Sequence, residues 1–235
     1  QYAVIKKIAQ KRKIKLLDID ESIKKIKKNY FQSINDFKIK NLSMAIEIVK
    51  LLGLEERLIY RAIKKLKDVN GRLELVKKYP NDIKVYIDYA HTPDALLKTL
   101  SFLKNNYGDN ISLVFGCGGE RDKKKRPLMA KIANRMCKKI YISDDNPRNE
   151  NPKKIRNCLE KFILKNKVFN IGNRELAIKK AIQNADPQEV ILIAGKGHEE
   201  KQIYRNKILN ISDRKIVNRI NNQVKIISKK KLNFL

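Results

Sequence analysis

The chain has 235 residues, 42% of them hydrophobic and 34% charged, and its formal net charge at pH 7 is +29. This length allows one domain, or one domain with part of a second, and the apolar content supports a buried core, which excludes a wholly disordered chain. No apolar run approaches the roughly 18 residues of a membrane span, no signal peptide begins the chain, and the three cysteines form no CxxC pair, so we predict a cytoplasmic protein.

Helices are predicted in the segment before residue 71. Residues 1–35 are rich in lysine and have only weak hydrophobic periodicity, so the sequence assigns no fold to them. The apolar spacing of Asn41–Leu52 and of Glu55–Leu66 predicts a helix at each. The pair Asn70-Gly71 is typical of a turn, and we place a domain boundary there, which divides the chain into residues 1–70 and 71–235.

From residue 71 onwards, predicted strands alternate with predicted helices. The strands are Ile83–Tyr89, Ile111–Phe115, Lys139–Ser143, Val168–Ile171 and Glu189–Ala194. One helix begins at Thr92-Pro93-Asp94, and three more cover Pro127–Cys137, Pro152–Leu164 and Arg174–Ala185. A hairpin is predicted at Gln202–Asn210, and Ser212-Asp213 caps a last helix after it. This alternation is typical of a Rossmann-like α/β fold with a doubly wound, mostly parallel sheet.

Polar residues that ordinary turns do not require follow several of these strands. They are Asp88–His91, Gly116–Arg121, Asp145–Arg148 and Gly195–Glu199, and the only histidines of the chain, His91 and His198, fall within them. In an open α/β sheet, ligands bind beyond the carboxyl ends of the strands. The loops together therefore predict a binding site.

The first two loops offer different chemistry. Asp88 could accept hydrogen bonds from ribose hydroxyls and His91 could contact ribose or a base, while Thr92 is equally well explained as a helix cap. Gly116–Gly119 resembles a dinucleotide loop, but Arg121 stands where the third glycine belongs, and the GKS or GKT ending of a P-loop is missing. The planar guanidinium of Arg121 suits a carboxylate.

The other two loops suit an amino acid. Asp145-Asn146-Pro147-Arg148 places an acid and a guanidinium on either side of a rigid proline. A turn alone would explain Asn-Pro, but Asp145 could bind an ammonium group while Arg148 binds a carboxylate. Gly195 permits the close approach of a ligand, and Glu199 adds a second acceptor for an ammonium group.

The stretches IDYAHTPDAL, VFGCGGERDKKKRPLMAKIA, DDNPRNENP and IAGKGHE, in this order, resemble the Mur ligases over about Gly71 to Arg214. Within that family the likeness is to members that add meso-diaminopimelate to UDP-N-acetylmuramoyl-L-alanyl-D-glutamate in peptidoglycan synthesis. FKIKNLSMAI and VNGRLELV are similar to the end of the central ATP-binding domain and its junction. The resemblance implies that residues 1–70 are a remnant of that domain and that residues 71–235 are the C-terminal, amino-acid-binding domain.

The resemblance also implies the reaction and the residues. With ATP and Mg²⁺, such a ligase phosphorylates the carboxylate of the UDP-muramoyl-dipeptide, and the incoming amine attacks the acyl phosphate. The expected ATP-binding residues are Asn41, Arg72, Asp88 and His91. The expected residues for meso-diaminopimelate are Arg121, Asp145, Asn146, Pro147, Arg148, Gly195 and Glu199. Arg148 is implied to bind the second carboxylate, and lysine-adding relatives lack this arginine because lysine has no such group.

Two departures from the family pattern limit these expectations. Glu120 stands where the family usually has Asp, which is a conservative change. The sequence also contains no GTNGKT-like P-loop, no lysine in a carbamylation motif and no UDP-binding domain. We therefore expect the chain to be a fragment that does not ligate alone, with the main catalytic groups and the Mg²⁺ ligands elsewhere.

Several alternatives stay open at this point. A lysine-adding enzyme or another Mur-type ligase would share the fold and the ATP chemistry, and a nicotinamide-dependent dehydrogenase is disfavoured by the broken glycine pattern. A basic nucleic-acid-binding domain is a remote alternative. The tracts Lys123–Arg126 and Lys229–Lys231 could contact phosphates, but lysines occur in every segment and RNP-type aromatics are missing. We predict a monomer that binds neither nucleic acid nor a membrane.

Overall fold

The computed structural model describes residues 2–29, 36–67 and 69–221, and the chain divides into two compact units, residues 1–67 and 68–235. The basic tract Lys229–Lys231 lies outside the described residues. Within them, none of the helices has the length and apolar character needed to cross a membrane.

The first unit is helical. It contains α1 (Tyr2–Lys11), α2 (Asp20–Asn29), α3 (Asp36–Leu51) and α4 (Glu56–Ile63). The first two helices occupy the region to which the sequence assigned no fold. The apolar side chains of α1, Val4, Ile5 and Ile8 among them, are largely exposed. Isoleucines from three of the helices form the core of this unit: Ile26, Ile39, Ile46, Ile59 and Ile63.

The second unit is built on a sheet of six strands in the order β1-β2-β6-β3-β4-β5. These are β1 (Glu74–Tyr79), β2 (Ile83–Asp88), β3 (Ile111–Phe115), β4 (Lys139–Ile142), β5 (Val168–Asn170) and β6 (Val190–Ala194). Strands β2 to β6 are parallel, and β1 pairs antiparallel with β2. The predicted α/β class with a mostly parallel sheet is confirmed.

Strand β1 was not predicted from the sequence. It is an edge strand whose residues are mostly half-buried or exposed, with Glu74, Lys77 and Lys78 among them. Such an edge strand needs no apolar run, since only one of its sides pairs with the sheet. A tight turn with positive φ at Asn81 (60°) and Asp82 (59°) joins it to β2.

Helices cover both faces of the sheet, namely α5 (Pro93–Tyr107), α6 (Lys125–Met136), α7 (Pro152–Glu160), α8 (Arg174–Gln183) and α9 (Asp213–Arg219). Helices α8 and α9 pack on one face, where Ala177, Ile178 and Val217 meet Val85, Ile87, Ile191 and Ile193. The helices α5, α6 and α7 form the other layer. Side chains of Thr92, Asn151, Asn173 and Ser212 cap the helices that follow them.

A separate hairpin follows β6, as predicted. Its strands are β7 (Lys201–Tyr204) and β8 (Lys207–Asn210), which pair antiparallel. The hairpin does not join the main sheet. It packs instead against the segment that follows β4, with consequences for the site.

Candidate functional site

The strand order brings the predicted loops together. Strands β2, β6, β3 and β4 are neighbours and run parallel, so the loops at their carboxyl ends lie along one edge of the sheet. Because β6 lies between β2 and β3, the Gly195–Glu199 loop separates Asp88–His91 from the other two loops. This arrangement cannot be read from the order of the residues in the chain.

The loops after β3 and β4 are bonded to each other through their backbones. The Gly119 amide donates to the Asn146 carbonyl at 2.9 Å, and Nη1 of Arg148 donates to the Gly119 carbonyl at 3.0 Å. A Cβ at Gly119 would collide with the Pro147 carbonyl oxygen. The approach of these two loops therefore requires glycine at position 119.

A partly buried ion pair fixes the same junction. Arg126 contacts both oxygens of Glu150, at 3.0 and 2.9 Å, and also donates to the Gly118 carbonyl. Glu150 in turn accepts from the Glu120 amide at 2.6 Å. The suggestion that the Lys123–Arg126 tract contacts phosphates is wrong for Arg126, because its side chain is turned inward to hold Glu150.

This pair predicts a pH-dependent contribution to stability. Arg126 is the largest influence on Glu150 and lowers the pKa of that carboxyl below its ordinary value of 4.5. A lowered folded-state pKa contributes stability that is present above about pH 4.5 and is lost as the pH falls through the folded-state pKa. We expect Glu150→Gln to unfold at lower urea concentration than the wild type at pH 7, with the difference shrinking towards pH 3. Glu200→Gln, which removes an exposed carboxylate paired with Lys215, should show no such convergence; an equal pH slope in both variants would contradict this prediction.

Arg148 has an unusual backbone conformation. Its φ of 52° lies in the left-handed region, which a residue with a Cβ adopts only when its surroundings impose it. The Arg148 amide donates to the Ile203 carbonyl at 3.0 Å, and the residue forms a parallel bridge with Tyr204 of the hairpin. Nη1 also contacts the Asn146 carbonyl at 3.3 Å. Among the described residues, Nη2 and Nε of Arg148 have no hydrogen-bond partner, so these atoms are free to bind a carboxylate.

Asp145 and Asn146 have distinct roles in this structure. Asp145 accepts from the Asn146 amide through Oδ1, and its Oδ2 lies 2.8 Å from where a Cβ on Gly195 would stand. Gly195 has a φ of 109°, so both space and conformation require glycine there. The Asn146 amide oxygen accepts from Ile203 and its nitrogen donates to Glu199. Asn146 is therefore occupied by protein partners, whereas Oδ2 of Asp145 has none in the described part of the chain.

Glu199, in the loop that follows β6, provides a second carboxylate at this edge of the sheet. Its Oε2 accepts from Lys196 at 3.0 Å and from Asn146 at 3.0 Å. Burial by itself would raise the pKa of Glu199, but the hydrogen bonds from Lys196, Asn146 and Tyr89 outweigh burial, and its pKa is lowered. The group is therefore a carboxylate at neutral pH, which is the form that binds an ammonium group.

Two of the four residues predicted to bind ATP, Arg72 and His91, lie against the ring of Tyr89. The Arg72 guanidinium lies 4.4 Å from the centre of the Tyr89 ring, and the His91 ring lies at 4.6 Å on the ring edge. His198 packs on the same ring at 5.6 Å. Arg72, His91 and His198 are all exposed. Tyr89 was not among the predicted site residues, although its position between Asp88 and His91 is a signal that could have pointed to it.

The structure gives Asp88 a supporting place. It is 6% exposed, and its carboxylate accepts from the amides of Leu73 and Ala90 and from the Thr99 hydroxyl. Burial raises the pKa of Asp88. Its bond to Leu73, whose φ is 47°, fixes the turn that carries Arg72. Asp88 thus stabilises the turn, and its carboxylate oxygens accept hydrogen bonds from the protein in place of the ribose hydroxyls that were predicted.

The remaining predicted residues differ in accessibility. Arg121 is exposed, and the one hydrogen bond of its guanidinium to another described residue goes to the neighbouring Glu120 carbonyl, at 3.2 Å. Pro147 is buried between the two loops. Asn41 lies on α3 of the first unit with an exposed side chain. Lys196, Arg126 and Glu150 were not predicted as site residues, because their roles depend on partners far away in the chain.

Comparison with known proteins gives consistent results. A family profile described as Mur ligase, glutamate ligase domain, matches residues 71–197. A protein of Buchnera aphidicola (subspecies Acyrthosiphon pisum) named UDP-N-acetylmuramoyl-L-alanyl-D-glutamate--2,6-diaminopimelate ligase is 45% identical over 185 residues, which cover 78% of this chain and 37% of that protein. A protein of the same name from Wigglesworthia glossinidia brevipalpis is 43% identical, and the match covers 79% of this chain and 37% of that protein.

Solved structures agree with these matches. A structure of a ligase with the same name is 32% identical and has a TM-score of 0.60, covering 79% of this chain and 38% of its own. A UDP-N-acetylmuramate-alanine ligase from Thermotoga maritima, at 20% identity and a TM-score of 0.53, shares the fold. This chain therefore spans well under half the length of each of these four relatives.

Proposed function

This chain belongs to the Mur ligase family, whose profile matches residues 71–197, and we propose that its second unit binds the amino acid in an ATP-dependent ligase. The proposed reaction joins meso-diaminopimelate to UDP-N-acetylmuramoyl-L-alanyl-D-glutamate through an acyl-phosphate intermediate. The sequence contains no P-loop, so the role of this chain is to bind and orient the amino acid. The phosphorylating groups must come from elsewhere.

The observation that carries the proposal is the conformation of Arg148. Its left-handed backbone is fixed by Ile203 and by the Gly119 carbonyl, and this leaves Nε and Nη2 available at the edge of the sheet. Those two nitrogens form the fork that binds a carboxylate through two parallel hydrogen bonds. Asp145 and Glu199 supply the negative charges for an ammonium group beside it.

The same charges indicate which amine reacts. An ammonium group held by Asp145 and Glu199 stays protonated, because nearby negative charge favours the charged form. A protonated amine cannot attack an acyl phosphate. The attacking amine must therefore belong to the other end of the molecule, so the substrate needs two amino groups, and Arg148 favours one that also has a second carboxylate.

The nucleotide side is consistent with ATP only in part. Arg72 and His91 are exposed beside the Tyr89 ring and could contact a phosphate or a ribose, whereas the oxygens of Asp88 are already bonded. No residue of this chain was predicted to hold Mg²⁺. The described ranges contain no cluster of three or more His, Cys, Asp or Glu side chains placed to hold a metal ion. When bound, ATP would supply the phosphoryl group, and this chain would bring the amine to the activated carboxylate.

The test is phosphate release from ATP in the presence of UDP-muramoyl-dipeptide and one amino acid at a time. The chain would be joined to the remaining part of the Buchnera aphidicola relative, which it matches over 37% of that protein's length. We expect kcat/KM for meso-diaminopimelate to exceed that for lysine by on the order of a hundredfold, because lysine leaves the Arg148 fork unpaired. A preference for lysine would instead assign the lysine-adding alternative, and release with neither amino acid would overturn the proposal.

A further inference from the structure

Lys196 is a fully buried lysine on the loop that follows β6. Its side chain is 0% exposed, which is rare for lysine unless the ammonium group is paired. Nζ donates to the Lys201 carbonyl at 2.6 Å, to Oε2 of Glu199 at 3.0 Å and to Oδ1 of Asn146 at 3.3 Å. An ammonium group has three protons, and each has an acceptor.

These partners come from separate parts of the chain. Asn146 follows β4, Glu199 follows β6, and Lys201 begins the hairpin. Lys196 therefore joins the loop after β4, the loop after β6 and the hairpin, which together carry the residues proposed to bind the amino acid. No other side-chain cation touches Glu199 among the described residues.

The bond to Asn146 also sets the orientation of its amide. Lys196 and the Ile203 amide both donate to Oδ1 of Asn146, so Nδ2 must point the other way, to Oε2 of Glu199. With Oε2 bonded to two donors, and with Tyr89 as a further hydrogen-bond partner, the carboxylate of Glu199 is held in place. A freely rotating Glu199 would lose entropy on binding a ligand, and a fixed one has already lost it.

We propose that Lys196 is the positioning residue of the amino-acid site, which holds Asn146 and Glu199 so that the Glu199 carboxylate is oriented to receive the substrate ammonium group. This inference rests on the proposed function, since it assumes that Glu199 binds the amino acid. Lys196 itself does not touch the substrate. Its ammonium group offsets the negative charge of Glu199 from within the protein.

The experiment measures binding of meso-diaminopimelate to the full 235-residue chain by calorimetry, as a function of pH. Lys196→Met removes the ammonium group and keeps a long apolar stem, and we expect it to raise Kd by about ten- to a hundredfold. Without Lys196, Glu199 ionises less readily, so the acid limb of the affinity profile should move to higher pH. Lys215→Met is the matched control, because it removes an exposed lysine paired with Glu200, and its profile should equal the wild type.

A double-mutant cycle separates positioning from general support of the fold. In the Glu199→Gln background, Lys196→Met should cause little further loss and no further shift of the acid limb, because the group it orients is gone. Additive losses, or an unmoved acid limb in Lys196→Met, would overturn the positioning role. Lys196→Gln keeps a neutral donor for the Lys201 carbonyl and carries the same test if the methionine variant does not fold. Loss of folded protein in both variants would assign Lys196 to the fold alone.

The outcomes distinguish this inference from the proposed function. Wild-type chain that binds neither meso-diaminopimelate nor lysine would overturn both. Wild-type chain that binds meso-diaminopimelate with unchanged affinity in Lys196→Met would leave the proposed function standing and overturn only the role of Lys196.

Discussion

Replacing Arg148 with alanine is expected to lower the affinity for meso-diaminopimelate by about a hundredfold or more and to change the affinity for lysine by less than about threefold. The reason is that Nη1 of the guanidinium is already bonded to the Gly119 and Asn146 carbonyls, whereas Nε and Nη2 have no partner in the part of the chain that the structure describes. A second carboxylate gains these bonds, and lysine has no group to use them. Calorimetric titration of both amino acids measures the two affinities.

Variants at the same position separate binding from stability. Arg148→Gly also removes the guanidinium, but glycine adopts the observed φ of 52° without strain. We expect the glycine variant to be more stable than the alanine variant by about 1 kcal/mol, with the same loss of binding. Arg135→Ala, an exposed arginine on α6, is the control and should bind like the wild type. Equal losses of affinity for meso-diaminopimelate and for lysine would show that Arg148 does not bind the second carboxylate.

Breaking the ion pair between Arg174 and Asp213 is expected to lower the free energy of unfolding of the second unit by about 3–5 kcal/mol. Both side chains are 0% exposed, and the guanidinium binds both carboxylate oxygens at 2.8 Å. Arg174→Met would leave the Asp213 carboxylate buried without its partner. Urea unfolding followed by circular dichroism measures the loss.

Arg174 also stabilises the strand ends from which two of the site loops begin. Its guanidinium donates to the Ala194 carbonyl at 3.1 Å and to the Ser143 hydroxyl at 3.3 Å, at the ends of β6 and β4. The loops that carry Gly195 and Asp145 begin at these points.

Two comparisons make the stability prediction specific. Lys179→Met breaks an exposed ion pair with Glu175 on the same helix, and it should cost less than about 0.5 kcal/mol. Arg174→Met combined with Asp213→Leu removes both charges and should recover much of the loss, because the penalty comes from an unpaired buried charge. A double variant that is no more stable than Arg174→Met would show that the hydrogen bonds to Ala194 and Ser143 dominate instead.

Much of the sheet could be predicted from the sequence. The strand Ile111–Phe115 has the predicted bounds, and Ser212 caps the last helix as predicted. Both features depend on local causes, namely a continuous apolar run and a side chain that bonds to an amide three residues later. Strand β1 could not be predicted, because an edge strand carries charged residues and is defined by its pairing with β2.

The candidate site divides in the same way. The loops that carry Asp88, Arg121, Arg148 and Glu199 are recognisable because glycine, proline and charged residues stand at strand ends. The partners of these residues are not recognisable from the chain alone. Lys196 reaches Asn146 across 50 positions and Arg126 reaches Glu150 across 24. Asp88 lies near the predicted site, but the Leu73 and Ala90 amides and the Thr99 hydroxyl occupy its oxygens.

By itself, the sequence determined the class of fold, the four loops that carry the chemistry and the family to which they point, because these follow from local apolar runs, turn residues and motifs. The tertiary structure decided which of those residues are free to meet a ligand. Placement of β6 between β2 and β3 brings Glu199 to Asn146, and the hairpin fixes the left-handed turn at Arg148. Those outcomes depend on contacts between distant segments, whose geometry exists only once the sheet has formed.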